Sequence, residues 1–413
     1  MTGAGTGAAL PVAPPTELRC TTEWPERGLD VEAERRRGWR PAPMRQVVLK
    51  LVGPCNLACD YCYVYEGADL SWRERPAVAS ADVVRAVARR VGEHALTHAL
   101  PEVEVVLHGG EPLLVGPDAL AVVLRTLREG TPPQVALRLG VQTNGILLTD
   151  RMLAVLADFD VRVGVSLDGG PAENDRHRLR RNGRGSYSSV ERGLRRLTAP
   201  RYRPLYAGLL ATVDPRHDPV TVYEALLAFE PPSVDFLLPH RTWGWTPTGF
   251  PGSGAGSTPY GDWLVAVFDR WFDASRRETD VRLFDDVIHL LLGGAARSGQ
   301  VGLSPAAFVV VDTDGSLQQV DALKVVAPGA PETGLNVFDH ALDDVCAHPT
   351  VVARQIGLNA LADECRLCRL VQVCGGGHYT HRHQPGRGFR NPSVYCHDLQ
   401  VLIDHVVRRL TPR

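Results

Sequence analysis

Short apolar runs rich in β-branched residues alternate along this chain with stretches of helical period. Residues 47–52 form a continuous apolar run that reads as a buried strand, and Gly53-Pro54 ends it. Ser80 caps an amphipathic helix whose apolar positions Val83, Val84, Val87 and Val91 keep helical spacing. The run 103–107 is a second strand, entering His108-Gly109-Gly110-Glu111-Pro112. Gly116-Pro117-Asp118 opens a helix that Gly130 ends, 135–142 is a strand, and Thr149 opens the next helix. Strands at 161–166, 205–213 and 234–238 alternate with helices at 188–197 and 221–229. Six strands separated by helices predict a parallel α/β sheet, closed or partly closed, with functional residues at the carboxyl ends of its strands.

The pattern changes after Pro239. Phe250 to Ser257 is a Gly/Ser-rich loop expected to be mobile, 263–272 is an apolar helix and 287–292 belongs to another. From Phe308 onward come short strands and a segment rich in cysteine and glycine, which sets a boundary near Ser304. The division is 1–40 as an N-terminal extension, 41–240 as the core, 241–304 as a bridging helical region and 305–413 as a C-terminal domain. Residues 24–40 are charged with a tryptophan near each end, as expected of a segment packed on the body.

Composition narrows the function classes. A hydrophobic share of 44% and a charged share of 22% are those of an ordinary globular protein, and a net charge of −2 gives no basic field towards nucleic acid. No apolar run reaches eighteen residues, so no membrane-spanning helix is expected, and the first residues lack the pattern of a signal peptide. Nine cysteines, most of them clustered at metal-ligand spacing, point to a cytoplasmic metalloenzyme rather than a disulfide framework.

Cys55, Cys59 and Cys62 are spaced C-x3-C-x2-C on the loop after the first strand. Three thiols on one short loop cannot pair off, and soft thiolates favour an iron–sulfur cluster, zinc or copper(I). A structural zinc site is the plain alternative, but it needs four ligands. The glycines of His108-Gly109-Gly110-Glu111-Pro112 would let a small zwitterion approach bare backbone, and Glu111 can orient the loop or accept from an ammonium. Ser166 ends the fourth strand in Ser-Leu-Asp-Gly, and Arg178 follows in a basic run that also reads as a solvated face.

The C-x3-C-x2-C loop, with Tyr61 before its last cysteine and Gly109-Gly110-Glu111 one βα unit on, resembles the radical S-adenosylmethionine (SAM) superfamily. The resemblance implies a partial (β/α)6 TIM-like barrel and a 4Fe-4S cluster on Cys55, Cys59 and Cys62. Its open iron would chelate S-adenosylmethionine, and one electron would release a 5′-deoxyadenosyl radical. It also implies that Tyr61, Gly109, Gly110, Glu111, Ser166, Arg178 and Leu238 contact the S-adenosylmethionine. Ser166 and Arg178 would take its carboxylate, and Leu238 (or Leu237) would pack on the adenine.

Cys365-x2-Cys368-x5-Cys374, with Cys396 beyond, resembles the SPASM extension of such enzymes. Where that pattern has a further cysteine this chain has His378, and the stretch from Thr313 to Val320 lacks the upstream cysteines. The implication is a C-terminal SPASM-like iron–sulfur domain with one auxiliary 4Fe-4S cluster on Cys365, Cys368, Cys374 and Cys396; tetrahedral zinc is the alternative. Cys20 and Cys346 stand apart as inert thiols.

Gly38-Trp39-Arg40-Pro41, Tyr61-Cys62-Tyr63-Val64-Tyr65-Glu66, Ser71-Trp72-Arg73, Pro259-Tyr260-Gly261-Asp262-Trp263-Leu264 and Asn391-Pro392-Ser393-Val394-Tyr395-Cys396 are similar to FxsB-type radical SAM/SPASM peptide maturases. That resemblance implies a ribosomally synthesised precursor peptide as substrate and a cyclophane joining an aromatic ring carbon to a nearby Cβ. A reducing partner such as flavodoxin or ferredoxin is implied too, with neither nucleic acid nor membrane as a partner. Another peptide modification (a thioether or ether crosslink, or formylglycine formation) and a non-catalytic iron–sulfur scaffold are the other expectations. Asp321 falls where the sulfatase-maturing branch has its catalytic base; a turn residue paired with Lys324 is the other reading.

Overall fold

A computed structural model of the chain describes residues 24–25, 28–247, 250 and 256–411. Cys20 with the N-terminal tail, and residues 251–255 of the Gly/Ser loop, lie outside the described residues. The strands are β1 (Gln46–Val52), β2 (Glu102–Gly109), β3 (Ala136–Thr143), β4 (Val161–Ser166), β5 (Tyr206–Thr212), β6 (Ser233–Leu237), β7 (Asp280–Val281), β8 (Phe308–Val311), β9 (Ser316–Gln318) and β10 (Glu332–Asn336). They form one sheet in the order β10-β9-β8-β1-β2-β3-β4-β5-β6-β7. Neighbours from β8 through β1 to β7 pair in parallel, while β9 and β10 add antiparallel hairpins at one edge. This is the α/β architecture the alternating pattern predicts, a largely parallel sheet with helices between its strands.

The helices form where the apolar spacing predicts them. Ala81–Thr97 starts with Ser80 Oγ accepting from Val83 N, and it buries Val83, Val84, Val87 and Val91. Pro117–Gly130 buries Leu120, Leu124 and Leu127 on one stripe, and Thr149 caps Asp150–Asp158. Truncating a fully buried leucine such as Leu120 to alanine costs about 2–5 kcal/mol, because the packed core cannot close over the void.

Two features depart from the one-dimensional pattern. Parallel pairing of β8 with β1 carries the sheet across the boundary drawn near Ser304, so the C-terminal segment begins as a strand of the core sheet. The helix Cys396–Leu410 then packs back against Pro259–Phe272. There the Asp398 carboxylate accepts from Tyr260 N at 2.9 Å and Gly261 N at 2.8 Å, satisfying backbone donors of the other helix's first turn. A Cβ on Gly261 would lie 2.6 Å from the Asp398 carbonyl oxygen, so glycine sets this approach. The N-terminal segment docks as expected: Trp24 and Trp39 join Leu323, Val352, Ile356 and Tyr379 in a second apolar cluster.

Candidate active site and metal centres

Gly53-Pro54 ends β1 and releases the loop that carries Cys55, Cys59 and Cys62. Leu57 N donates to Cys55 Sγ at 3.4 Å, Cys62 N to the Cys59 carbonyl at 3.1 Å, and Tyr65 Oη to the Gly53 carbonyl at 2.5 Å. Burial pushes the thiol pKa values up, to about 12 for Cys59 and about 11 for Cys62, and the charge of Arg178 offsets part of this. Partly buried thiols with raised pKa values ionise readily only against a strong positive centre such as a bound metal.

β2 delivers His108-Gly109-Gly110-Glu111 alongside that loop. Gly109 has φ +136°, and a Cβ there would lie 2.2 Å from the Val52 carbonyl oxygen. A Cβ on Gly110 would meet Tyr65 Oη at 2.0 Å and the Pro54 oxygen at 2.2 Å. Both glycines are therefore required for the two loops to touch. Of the two roles open to Glu111, its bonds are those of an anchor. The fully buried carboxylate accepts from Thr143 Oγ1 at 2.7 Å, Asn144 N at 2.8 Å and Leu113 N at 3.1 Å.

Arg178 is buried, with 7% of its surface exposed, and does not lie on the solvated face its basic neighbours suggest. Its Nη1 donates to Tyr61 Oη at 2.8 Å, and Tyr61 in turn donates to Asp168 Oδ2 at 2.6 Å. Arg178 Nε is buried without a partner, an unmet donor beside the cysteine loop. Tyr61, Arg178 and the three thiols thus come together. Ser166, at the end of β4, instead accepts from Gln142 Nε2 at 3.0 Å, and Leu238 is buried just past β6.

Asp321 is buried, and its partner is Lys50 rather than Lys324. The Lys50 Nζ lies 2.6 Å from Asp321 Oδ1 and 3.1 Å from Asp312 Oδ2, whereas Lys324 faces Asp69 at 3.8 Å. The reason is the sheet: β8 against β1 brings Asp312 and Asp321 onto Lys50, which is opposite His108 in register. Burial works against the Lys50 charge, yet the two carboxylates outweigh it and raise its pKa. The sequence signal for Lys50 was a lone cation within an apolar strand.

A second cluster of charge sits beside the cysteine loop and was not foreseen. His177 Nδ1 meets Asp60 Oδ1 at 2.8 Å and its Nε2 meets Asp214 Oδ2 at 3.0 Å. Burial disfavours its charged ring, but these two carboxylates prevail and push its pKa up to about 9. The ring stacks on Phe250 with centroids 4.6 Å apart.

Cys365, Cys368, Cys374 and Cys396 line one cavity of about 150 Å³, with Leu370, Val371 and Pro392 among its other walls. Tetrahedral zinc at Zn–S 2.3 Å would hold its sulfurs about 3.8 Å apart. Among the described residues, neither these four thiols nor the N-terminal three form a donor group within 4.8 Å of one another. The cavity among the C-terminal four has room for a polynuclear cluster. Cys346 is buried apart from them, its Sγ 3.7 Å from the Ala42 oxygen.

Residues 50–207 match the family model described as the radical SAM superfamily. A cysteine-type anaerobic sulfatase-maturating enzyme of Clostridium novyi is 21% identical over 362 residues, spanning 86% of this chain and 93% of that protein. The solved structure of native anSMEcpe with bound AdoMet superposes with a TM-score of 0.76 at 21% identity, covering 88% of this chain and 98% of that one. Streptococcus suis SuiB bound to precursor peptide SuiA gives a TM-score of 0.58 at 14% identity, with coverages of 88% and 78%. No helix among the described residues is long and apolar enough to cross a membrane. The fold is that of these solved structures, and residues 50–207 carry the likeness to the radical SAM superfamily.

Proposed function

We propose that this chain is a radical SAM enzyme that modifies a ribosomally made precursor peptide by joining an aromatic ring carbon to the Cβ of a nearby residue, a cyclophane. The observation that carries the reading is the convergence of three thiols, two obligatory glycines and a buried, partly unpaired Arg178 at the carboxyl ends of β1 and β2. Cys55, Cys59 and Cys62 hold a 4Fe-4S cluster, and Arg178 takes the S-adenosylmethionine carboxylate through donors not committed to Tyr61. When bound, this pair supplies a 5′-deoxyadenosyl radical able to abstract a Cβ hydrogen. Asp321 takes the proton that the attacked ring sheds on rearomatising. Lys50 keeps Asp312 as counterion when Asp321 becomes neutral, so the proton can be accepted without stranding a buried cation. Cys365, Cys368, Cys374 and Cys396 would hold an auxiliary cluster able to take up the remaining electron, and a flavodoxin or ferredoxin would supply the electron that a cluster on Cys55, Cys59 and Cys62 needs.

The cyclophane assignment rests on the FxsB-type motifs, two of which meet in space as Tyr260 and Tyr395, ring centroids 5.0 Å apart. A second reading, formylglycine formation, is favoured by the likeness to sulfatase-maturating enzymes along nearly the whole of their length. Anaerobic turnover with the cognate peptide separates them. A crosslink gives loss of H2, no reaction with hydrazide and fragment ions missing between the joined residues. A hydrazide-reactive product would establish the second reading, and absence of deoxyadenosine would overturn both.

A further inference from the structure

The histidine that stands where the SPASM pattern has a cysteine is not alone. His378 and His381 occupy one turn, with His381 N donating to the His378 carbonyl at 3.0 Å, and His240 comes to meet them from the end of β6. One ring nitrogen of each lies within 4.8 Å of the other two. The three rings are packed pairwise, with centroids 4.9–5.5 Å apart.

We propose that His240, His378 and His381 hold a single divalent first-row transition-metal ion, of the zinc or iron(II) kind, with one coordination position left open. The geometry is the first support. His240 Nδ1 and His381 Nε2 are 3.3 Å apart. That is long for a hydrogen bond between nitrogen atoms. It is also the separation of about 3.3 Å that two imidazoles have across a tetrahedral ion at 2.0–2.1 Å. The second support is an unmet buried atom: His378 Nδ1 has no hydrogen-bond partner. Arg354 and Arg382 lie near His378, and Arg241 and Arg382 near His381. The same cations weaken affinity for a metal, so the site is read by titration rather than by stoichiometry alone.

Three imidazoles with no carboxylate or thiolate form the donor set of a site with an exchangeable fourth ligand. The ion would tie the end of β6 to the turn Tyr379–Arg382. It would sit behind His240, whose ring meets Tyr63 edge-on at 5.1 Å, next in sequence to Cys62. It would thus stand where the extension otherwise carries a cluster, without requiring the missing cysteines.

The test uses cluster-loaded full-length enzyme, titrated anaerobically with Zn2+ and desalted, with zinc, iron and sulfide counted together. We expect about one zinc per chain, and a zinc-edge X-ray absorption shell of nitrogen and oxygen only, at about 2.0–2.1 Å. His378→Ala and His240→Gln should each weaken zinc binding at least tenfold while iron and sulfide stay at the wild-type level. A sulfur shell near 2.3 Å would mean that zinc occupies a cysteine site, and would overturn the proposal. So would a wild-type enzyme that retains no zinc. Should one substitution lower iron content and so disturb the fold, the other variant and the wild-type absorption shell decide the matter.

Discussion

The chain has two gatherings of cysteine that differ in number and in company. The N-terminal three share their loop with polar groups that still have bonding capacity: Arg178 Nε has no partner, and Asn144 Nδ2 approaches Cys55 Sγ at 3.9 Å. The C-terminal four surround a cavity whose walls include Leu370, Val371 and Pro392 together with Glu364, Ser393 and Gln400. A cluster with three protein ligands and polar neighbours can bind and activate a small molecule. One with four protein ligands has no iron left open for a small molecule and is suited to passing an electron. The proposed division of labour follows from that contrast.

The largest effect is expected at the three-cysteine loop. Replacing Cys55, Cys59 and Cys62 together by alanine should abolish deoxyadenosine formation and lower iron from about eight to about four per chain. Twelve irons in the intact protein would refute a single auxiliary cluster. Next, Asp321→Asn should leave deoxyadenosine release intact and lower peptide product by the 10²–10⁴-fold typical of a lost general base. Wild-type yield would return Asp321 to a purely structural ion pair with Lys50.

A smaller loss is expected at Arg178. Removing it should weaken S-adenosylmethionine binding by about 1.5–3 kcal/mol, the range for a charge-assisted hydrogen bond, with cluster absorbance unchanged. An unaltered dissociation constant would take Arg178 out of the site. The mildest effect concerns pH. Because the pKa of His177 rises from 6.5 to about 9 on folding, its contribution to stability is fully present below pH 6.5 and fades as pH climbs through 9. His177→Gln should flatten the stability profile over that window, measured by denaturant midpoints at fixed ionic strength.

Much of this was legible in one dimension. All six expected strands form, because parallel strands buried on both faces need unbroken apolar runs and leave a clear mark. Short edge strands such as β7, at two residues, carry no such mark, and the pairing of β8 with β1 joins residues some 260 positions apart. The cysteine spacing of Cys55, Cys59 and Cys62 was legible for the same reason as the strands: it is local to one loop. What the sequence concealed is which partners tertiary structure assigns. Lys50 rather than Lys324 pairs with Asp321, Gln142 occupies Ser166, and His240 meets His378 and His381 only after the C-terminal turn folds over β6. Arg178 had two readings, a cofactor contact from the resemblance and a solvated face from its basic neighbours, and the turn after Pro171–His177 directs it inward, away from the solvated face.

The contrast between the two cysteine sites is tested most directly by uncoupling them. Cys365→Ala/Cys368→Ala enzyme, reconstituted anaerobically and given S-adenosylmethionine, reductant and the cognate peptide, is assayed for deoxyadenosine and crosslinked peptide in the same reaction. The account predicts that about four irons remain, that deoxyadenosine still forms, and that crosslinked product is lost. Unchanged product, or deoxyadenosine lost in step with product while the four irons remain, would contradict it.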